Sequence, residues 1–217
     1  IINDAPIVIN DPALETAWRP ENYSGKFYGP TRLRMALTKS RNLVSIRLLR
    51  SMGMDHALKH AELFGFDPKS LPHNLSLALG SGAVTPMQMA KSYAILANGG
   101  FRVEPFFIER IENSKHEIAF QAQPVRVCPA CPQTATLGED GKAIYPAQAA
   151  PGVAPRVISP QNHYLMNSMM RDVIQDGTAT RAKSLGRRDI AGKTGTTNDQ
   201  RDAWFNGFNR FQVAIAW

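Results

Sequence analysis

Apolar residues recur at helical spacing through the middle of the chain and alternate in the manner of strands near both ends. Ile7-Val8-Ile9 reads as a short strand, and a loop rich in Asn, Gly and Pro follows it up to Gly29-Pro30. Pro30 fits the first position of a helix, where its missing N–H costs nothing. Leu33, Ala36 and Leu37 carry that helix to Lys39. Leu43, Ile46 and Leu49 mark a second helix that ends at Gly53, a C-cap. A third is expected from near Asp55 to Phe64, with Gly65 ending it. Thr85-Pro86-Met87-Gln88 combines a Thr N-cap, Pro at the first helical position and Gln at the third, which is a capping box. Asn98-Gly99-Gly100 stops the helix it opens.

The second half reads differently. Phe101 to Ile111 and Glu117 to Phe120 predict a hairpin turning near Asn113-Ser114. From Gln121 to about Arg156 the chain is rich in Pro, Ala and Gly and is expected to be an insertion without regular structure, so 101–157 forms a hairpin plus a Pro-rich insertion. Ser159-Pro160 opens a helix with an apolar face of Leu165, Met166, Met169, Met170, Val173 and Ile174, ended by Gly177. Thr178 to Leu185 suggests a short helix capped by Gly186. The tail alternates again at Ile190, Lys193 to Thr197, Trp204 to Phe208 and Val213 to Trp217. Tight spacing between these strands favours antiparallel pairing over βαβ crossovers. The expected class is α+β, an antiparallel sheet flanked by helices.

Composition adds little to this picture. The 217 residues suffice for a real core, and 43% hydrophobic with 20% charged residues is ordinary for a globular domain. No apolar run approaches the length needed to span a bilayer, and the first ten residues lack the basic region and cleavage site of a signal peptide. The net charge is +7, but the Lys and Arg are scattered and no basic run reaches five or six. Nucleic-acid motifs are absent, so a nucleic-acid partner is not expected. The apolar end Gln212 to Trp217 stops without a turn signal, so the chain is expected to end inside a sheet and to belong to a longer polypeptide.

Two short motifs carry chemistry. Gly192-Lys193-Thr194-Gly195-Thr196-Thr197 offers one cation, several hydroxyls and a residue without a side chain. On a strand edge this set binds a carboxylate; as an isolated triplet it also occurs in ordinary surface turns. A phosphate loop is the competing reading, but Gly186 to Thr194 has one residue too many between the glycines, and nothing after it opens a helix. Ser40-Arg41-Asn42 lies between two helices. Ser40 can relay a proton and Asn42 can hold a peptide through donor and acceptor, or the pair can simply cap a helix.

Taken in order, Ser40-Arg41-Asn42, Leu79-Gly80 with Val84-Thr85-Pro86, Gly177-Thr178, and Gly192 to Thr197 running on to Asp202-Ala203-Trp204-Phe205 follow the pattern of one family. The sequence resembles, over its whole length, the transpeptidase domain of class A penicillin-binding proteins of the Gram-negative 1a type, related to the serine β-lactamases. The resemblance implies that 1–217 is part of a transpeptidase domain, with no cofactor and no metal. It assigns Ser40 and Lys193 to a proton relay and Asn42 to the substrate amide. Thr194, Gly195 and Thr196 would bind the terminal carboxylate of D-Ala-D-Ala or of a β-lactam, with the Thr196 N–H as half of an oxyanion hole. The implied partners are peptidoglycan stem peptides and β-lactam antibiotics. The implied location is the periplasmic face of the bacterial inner membrane, reached through a segment not in this chain. A β-lactam hydrolase or sensor on the same fold is the alternative, disfavoured by the roughly 150 residues between the two motifs. A non-catalytic binding module is the third reading.

In such an exported domain Cys128-Pro129-Ala130-Cys131 would form a local disulfide, with a free thiol pair as the alternative. Zinc would need a second pair of ligands, for which the sequence offers only the distant His116 and His163, and the Pro-rich surroundings lack the βαβ setting of a redox motif. His56 and His60 are expected on a solvated helix face, because Ala57 stands where a zinc protease needs Glu. Trp204 and Phe205 are expected in the core or as an aromatic floor to the cleft.

One part of the family pattern is missing. No Ser here is followed three residues on by Lys, so Ser-x-x-Lys, which would supply the nucleophile and its activating lysine, is expected before Ile1. A hydroxyl without an activating base is a poor nucleophile. The 217 residues alone are therefore expected to form no acyl-enzyme. Incubation with a reporter β-lactam checks this, and a covalent adduct within 1–217 would refute it.

Overall fold

The computed structural model describes residues 1–10, 17–131, 133–138 and 143–217. Three antiparallel strands, β7 (Ala191–Thr196), β8 (Ala203–Phe208) and β9 (Val213–Ala216), form a sheet in the order β7-β8-β9. Lys193 stands opposite Asn206, Thr194 opposite Phe205 and Gly195 opposite Trp204. Because successive side chains alternate, Ala191 and Lys193 share one face with Asn206 and Phe208, and Thr194 shares the other with Phe205.

Helices cover both faces. α4 (Pro86–Ala97) contributes Ile95 and Leu96, and α5 (Pro160–Gln175) contributes Met170, to a core with Val157, Ile158, Ala191 and Phe208. Tyr93 of α4 meets Phe208 edge-on, ring centroids 6.0 Å apart. Val173 and Ile174 at the end of α5 pack with Ala179 against Phe205. Two glycines allow close approaches, Gly192 of β7 to β8 and Gly177 to the end of α5. A Cβ on Gly192 would lie 2.7 Å from the Asn206 carbonyl oxygen, and one on Gly177 would lie 2.6 Å from the Val173 Cα. Gly177 thus sits where α5 abuts the helix that ends at Thr38, whose carbonyl accepts from the Thr178 N–H.

The remaining helices are α1 (Leu33–Thr38), α2 (Asn42–Met52) and α3 (Met54–Leu63). α2 buries Leu43, Val44, Ile46 and Leu49 at helical spacing, and Gly53 ends it at φ 88°, a conformation that favours glycine. The capping box at the start of α4 is formed in full: the Thr85 side chain accepts from the Gln88 N–H, and the Gln88 side chain accepts from the Thr85 N–H. Ser159 caps α5 through the Asn162 N–H.

Several expectations are corrected. Pro30 lies in strand β2 (Gly29–Thr31), which pairs with β1 (Ile2–Asp4), and α1 starts only at Leu33. Edge strands tolerate Pro as readily as the first helical turn does, so that residue did not discriminate. Ile7-Val8-Ile9 makes a single bridge, Ile9 to Trp18. Residues 11–16 of the expected loop lie outside the described residues. The hairpin near 101–120 is confined to β3 (Arg110–Glu112) and β4 (Ile118–Gln121), with Phe101 bridged instead to Arg156. The segment expected to lack regular structure contains a second hairpin, β5 (Gln133–Leu137) with β6 (Ala143–Ala149); its residues 132 and 139–142 lie outside the described residues. Leu165 is half exposed rather than part of the α5 core face. The short helix begins at Thr180 and is of the 3-10 type, closed by Gly186.

Candidate active site

Ser40 and Lys193 meet. Ser40 occupies the turn between α1 and α2, and Lys193 is the third residue of β7. The Lys193 Nζ donates to the Ser40 Oγ at 2.9 Å and to the Thr194 carbonyl at 2.8 Å. Thr194 turns its hydroxyl to the other face, where it hydrogen-bonds the Thr178 hydroxyl at 2.5 Å.

The turn that presents Ser40 is locally strained. Ser40 has φ 53°, in the left-handed region, which costs a non-glycine residue about 1–2 kcal/mol. Backbone bonds on both sides hold it: the Ser40 N–H donates to Leu37 O, and the Arg41 N–H to Ala36 O. The Lys39 ammonium reaches across to the Asp176 carbonyl, tying the turn to the end of α5. Strain kept in place by its surroundings is a mark of a site that needs a fixed side-chain direction.

The electrostatics of Lys193 are unusual. Burial pushes its ammonium down from 10.5 to about 8. On the same face the Tyr93 hydroxyl contacts the Asn206 side chain, and burial pushes that phenol up to about 12. A lysine held near neutrality beside a hydroxyl can take up or release a proton at working pH, which an exposed lysine cannot.

The other expected residues are placed as follows. Asn42 is the first residue of α2, two positions from Ser40, but its Nδ2 donates to the Glu21 carbonyl at 2.9 Å. Gly195 and Thr196 continue β7 beyond Lys193, and Thr196 is exposed. Among the described residues β7 is an edge strand of its sheet. Cys128 and Cys131 are disulfide-bonded, Cα–Cα 5.3 Å. Trp204 stacks at 5.9 Å on Trp217, whose indole donates to Asp202. His56 and His60 are exposed on α3 as expected. Sequence reasoning assigned no role to Thr178, although Gly177-Thr178 was part of the motif order, and none to Asp4 or Asn22, which lie behind the Ser40 turn. Nothing local to Asp4 signals that it is buried.

The α+β fold thus sets a strand-borne lysine on a serine hydroxyl presented by the turn between two helices. Residues 2–210 match the penicillin binding protein transpeptidase domain, and the chain belongs to that family. It is similar to penicillin-binding protein 1A of Pseudomonas aeruginosa, 43% identical over 240 residues, covering 100% of this chain and 29% of that protein. The same protein of Vibrio cholerae is 43% identical over 229 residues, covering 100% and 27%. The crystal structure of penicillin-binding protein 1A from Haemophilus influenzae superposes with a TM-score of 0.81 at 34% identity, covering 95% of this chain and 32% of that one. The chain thus spans about a third or less of the length of these relatives.

The lowered Lys193 ammonium fixes a pH dependence. Unfolded, the lysine binds its proton up to about 10.5; folded, only up to about 8. Between these values the unfolded state holds more protons, so stability rises with pH there. Lys193→Met should therefore be more stable than the wild type at pH 7, with the difference shrinking from pH 8 to 10.5. Urea unfolding across that range checks this; a difference independent of pH would contradict it.

Proposed function

We propose that the parent protein is a D,D-transpeptidase that cross-links peptidoglycan stem peptides and is acylated by β-lactams. The observation that carries this reading is the 2.9 Å hydrogen bond from Lys193 to Ser40. It joins the second and third family motifs in one relay, as acyl transfer requires.

In this reading the nucleophile is the serine of a Ser-x-x-Lys segment preceding this chain. Its hydroxyl passes its proton to the lysine of that segment as its oxygen attacks the carbonyl of the penultimate D-Ala, and the C–N bond to the last D-Ala breaks. The leaving amine takes a proton through Ser40 and Lys193. An amine of a neighbouring stem then attacks the ester, one of its protons returns to the serine oxygen, and the C–O bond to the enzyme breaks. Thr194, Gly195 and Thr196 receive the terminal carboxylate, with Lys193 supplying positive charge nearby. The free edge of β7 accepts the extended stem peptide by strand addition, and the Thr196 N–H contributes to the oxyanion hole. Asn42 faces the substrate amide through its Oδ1, since its Nδ2 is engaged with Glu21.

No cofactor enters this chemistry, and nucleic acid is not a partner. The disulfide fits an oxidising compartment, in keeping with the periplasmic face of the inner membrane. Among the described residues no helix is long and apolar enough to cross a membrane.

A fluorescent penicillin tests the reading on the full-length protein. The expected result is a persistent covalent adduct on the upstream serine, formed about 10²–10³-fold more slowly in Lys193→Ala. Rapid turnover of the β-lactam would make the protein a hydrolase, and absence of any adduct would reject the proposal.

A further inference from the structure

The turn carrying Ser40 is clasped from behind by a buried polar cluster. Asp4, the last residue of β1, is 0% exposed, although a carboxylate is costly to bury without partners. Its Oδ1 accepts from the Asn22 Nδ2 at 2.7 Å. Its Oδ2 accepts no hydrogen bond among the described residues and faces the Arg41 Nε at 4.0 Å. Asn22 is itself buried, donates to the Lys26 carbonyl at 2.8 Å, and accepts from the Leu43 N–H at 3.4 Å.

Three consecutive residues after Ser40 are therefore tied to β1 and to the 21–28 loop. Arg41 faces Asp4 and stacks its guanidinium on the Tyr28 ring, 3.4 Å from the centroid. Asn42 donates to Glu21, and the Leu43 N–H donates to Asn22. A buried charge placed only to fill space would be more stable as an apolar residue. Here Asp4 links β1 to the 21–28 loop through Asn22 and faces Arg41 of the turn after Ser40.

We infer that Asp4 and Asn22 are positioning residues that fix the Ser40–Asn42 turn against Lys193. They touch neither substrate nor the reacting atoms, and they act by holding Arg41 and Leu43. The left-handed Ser40 can keep its conformation because the residues that follow it are anchored to a different part of the chain. The effect on acylation rests on the acyl-transfer reading above; the effect on the turn does not.

The test uses the full-length protein with Asp4→Ala, Asn22→Ala and Asp4→Asn, the last keeping an Oδ1 acceptor for Asn22. Two quantities are measured well below each variant's Tm: fluorescent-penicillin acylation, resolved into binding and acylation constants, and amide hydrogen exchange across residues 39–44. The two alanine variants should acylate about ten- to a hundredfold more slowly, the penalty expected of a misplaced relay, with faster exchange at 40–43 and unchanged exchange in α4. Asp4→Asn should recover the rate to within about threefold. If Asp4→Ala does not fold, Asn22→Ala and Asp4→Asn decide separately. Wild-type acylation together with wild-type exchange at 40–43 in a folded alanine variant overturns the inference. If the wild type itself is not acylated, the acyl-transfer reading fails, and exchange at 40–43 still decides the clasp.

Discussion

The hydrogen bond between Lys193 and Ser40 joins residues 153 apart in sequence, and much of the architecture serves to make it. Lys193 must sit in a strand so that its side chain projects from one face, and that strand must be backed by packed helices so that it cannot slide. The glycines at 192 and 177 allow the close approach of strand to strand and of α5 to α1. Val173, Ile174 and Phe205 then hold the sheet from the face opposite Lys193. Each of these packing contacts is ordinary; their joint result is a half-buried ammonium beside a hydroxyl.

That ammonium is costly to fold. Burial lowers its affinity for a proton, and the described structure offers it a hydroxyl and a carbonyl instead of a carboxylate. Ser40 adds backbone strain, and Asp4 buries a carboxyl whose Oδ2 accepts no hydrogen bond among the described residues. Three unfavourable features within one region are hard to explain as stabilising devices. They are expected where a site trades stability for chemistry.

What could be read in the sequence follows the range of each interaction. The capping box at Thr85 to Gln88 and the glycine stop at Gly53 are local, and the structure forms both as expected. Strands β7 to β9 showed themselves by alternation, and short connections fixed their antiparallel order. Pro30 was misread because a helix start and an edge strand tolerate the same residue for the same reason, a missing N–H that nothing requires. The β5–β6 hairpin was hidden by Pro and Ala, which are poor in strand signal. At the site, Ser40 and Lys193 were legible through the order of motifs along the chain, whereas Asp4 and Asn22 were not. Their importance comes from burial by segments distant in sequence, and no spacing rule marks it.

The most direct measurement of the central claim is an NMR titration of the Lys193 Cε and the Ser40 amide in the same sample. The account predicts a Lys193 midpoint near about 8, with the Ser40 amide shifting through that same midpoint. A Lys193 midpoint at its ordinary value of 10.5, with the Ser40 amide unresponsive, would show that the two groups do not share a buried site and would contradict the account.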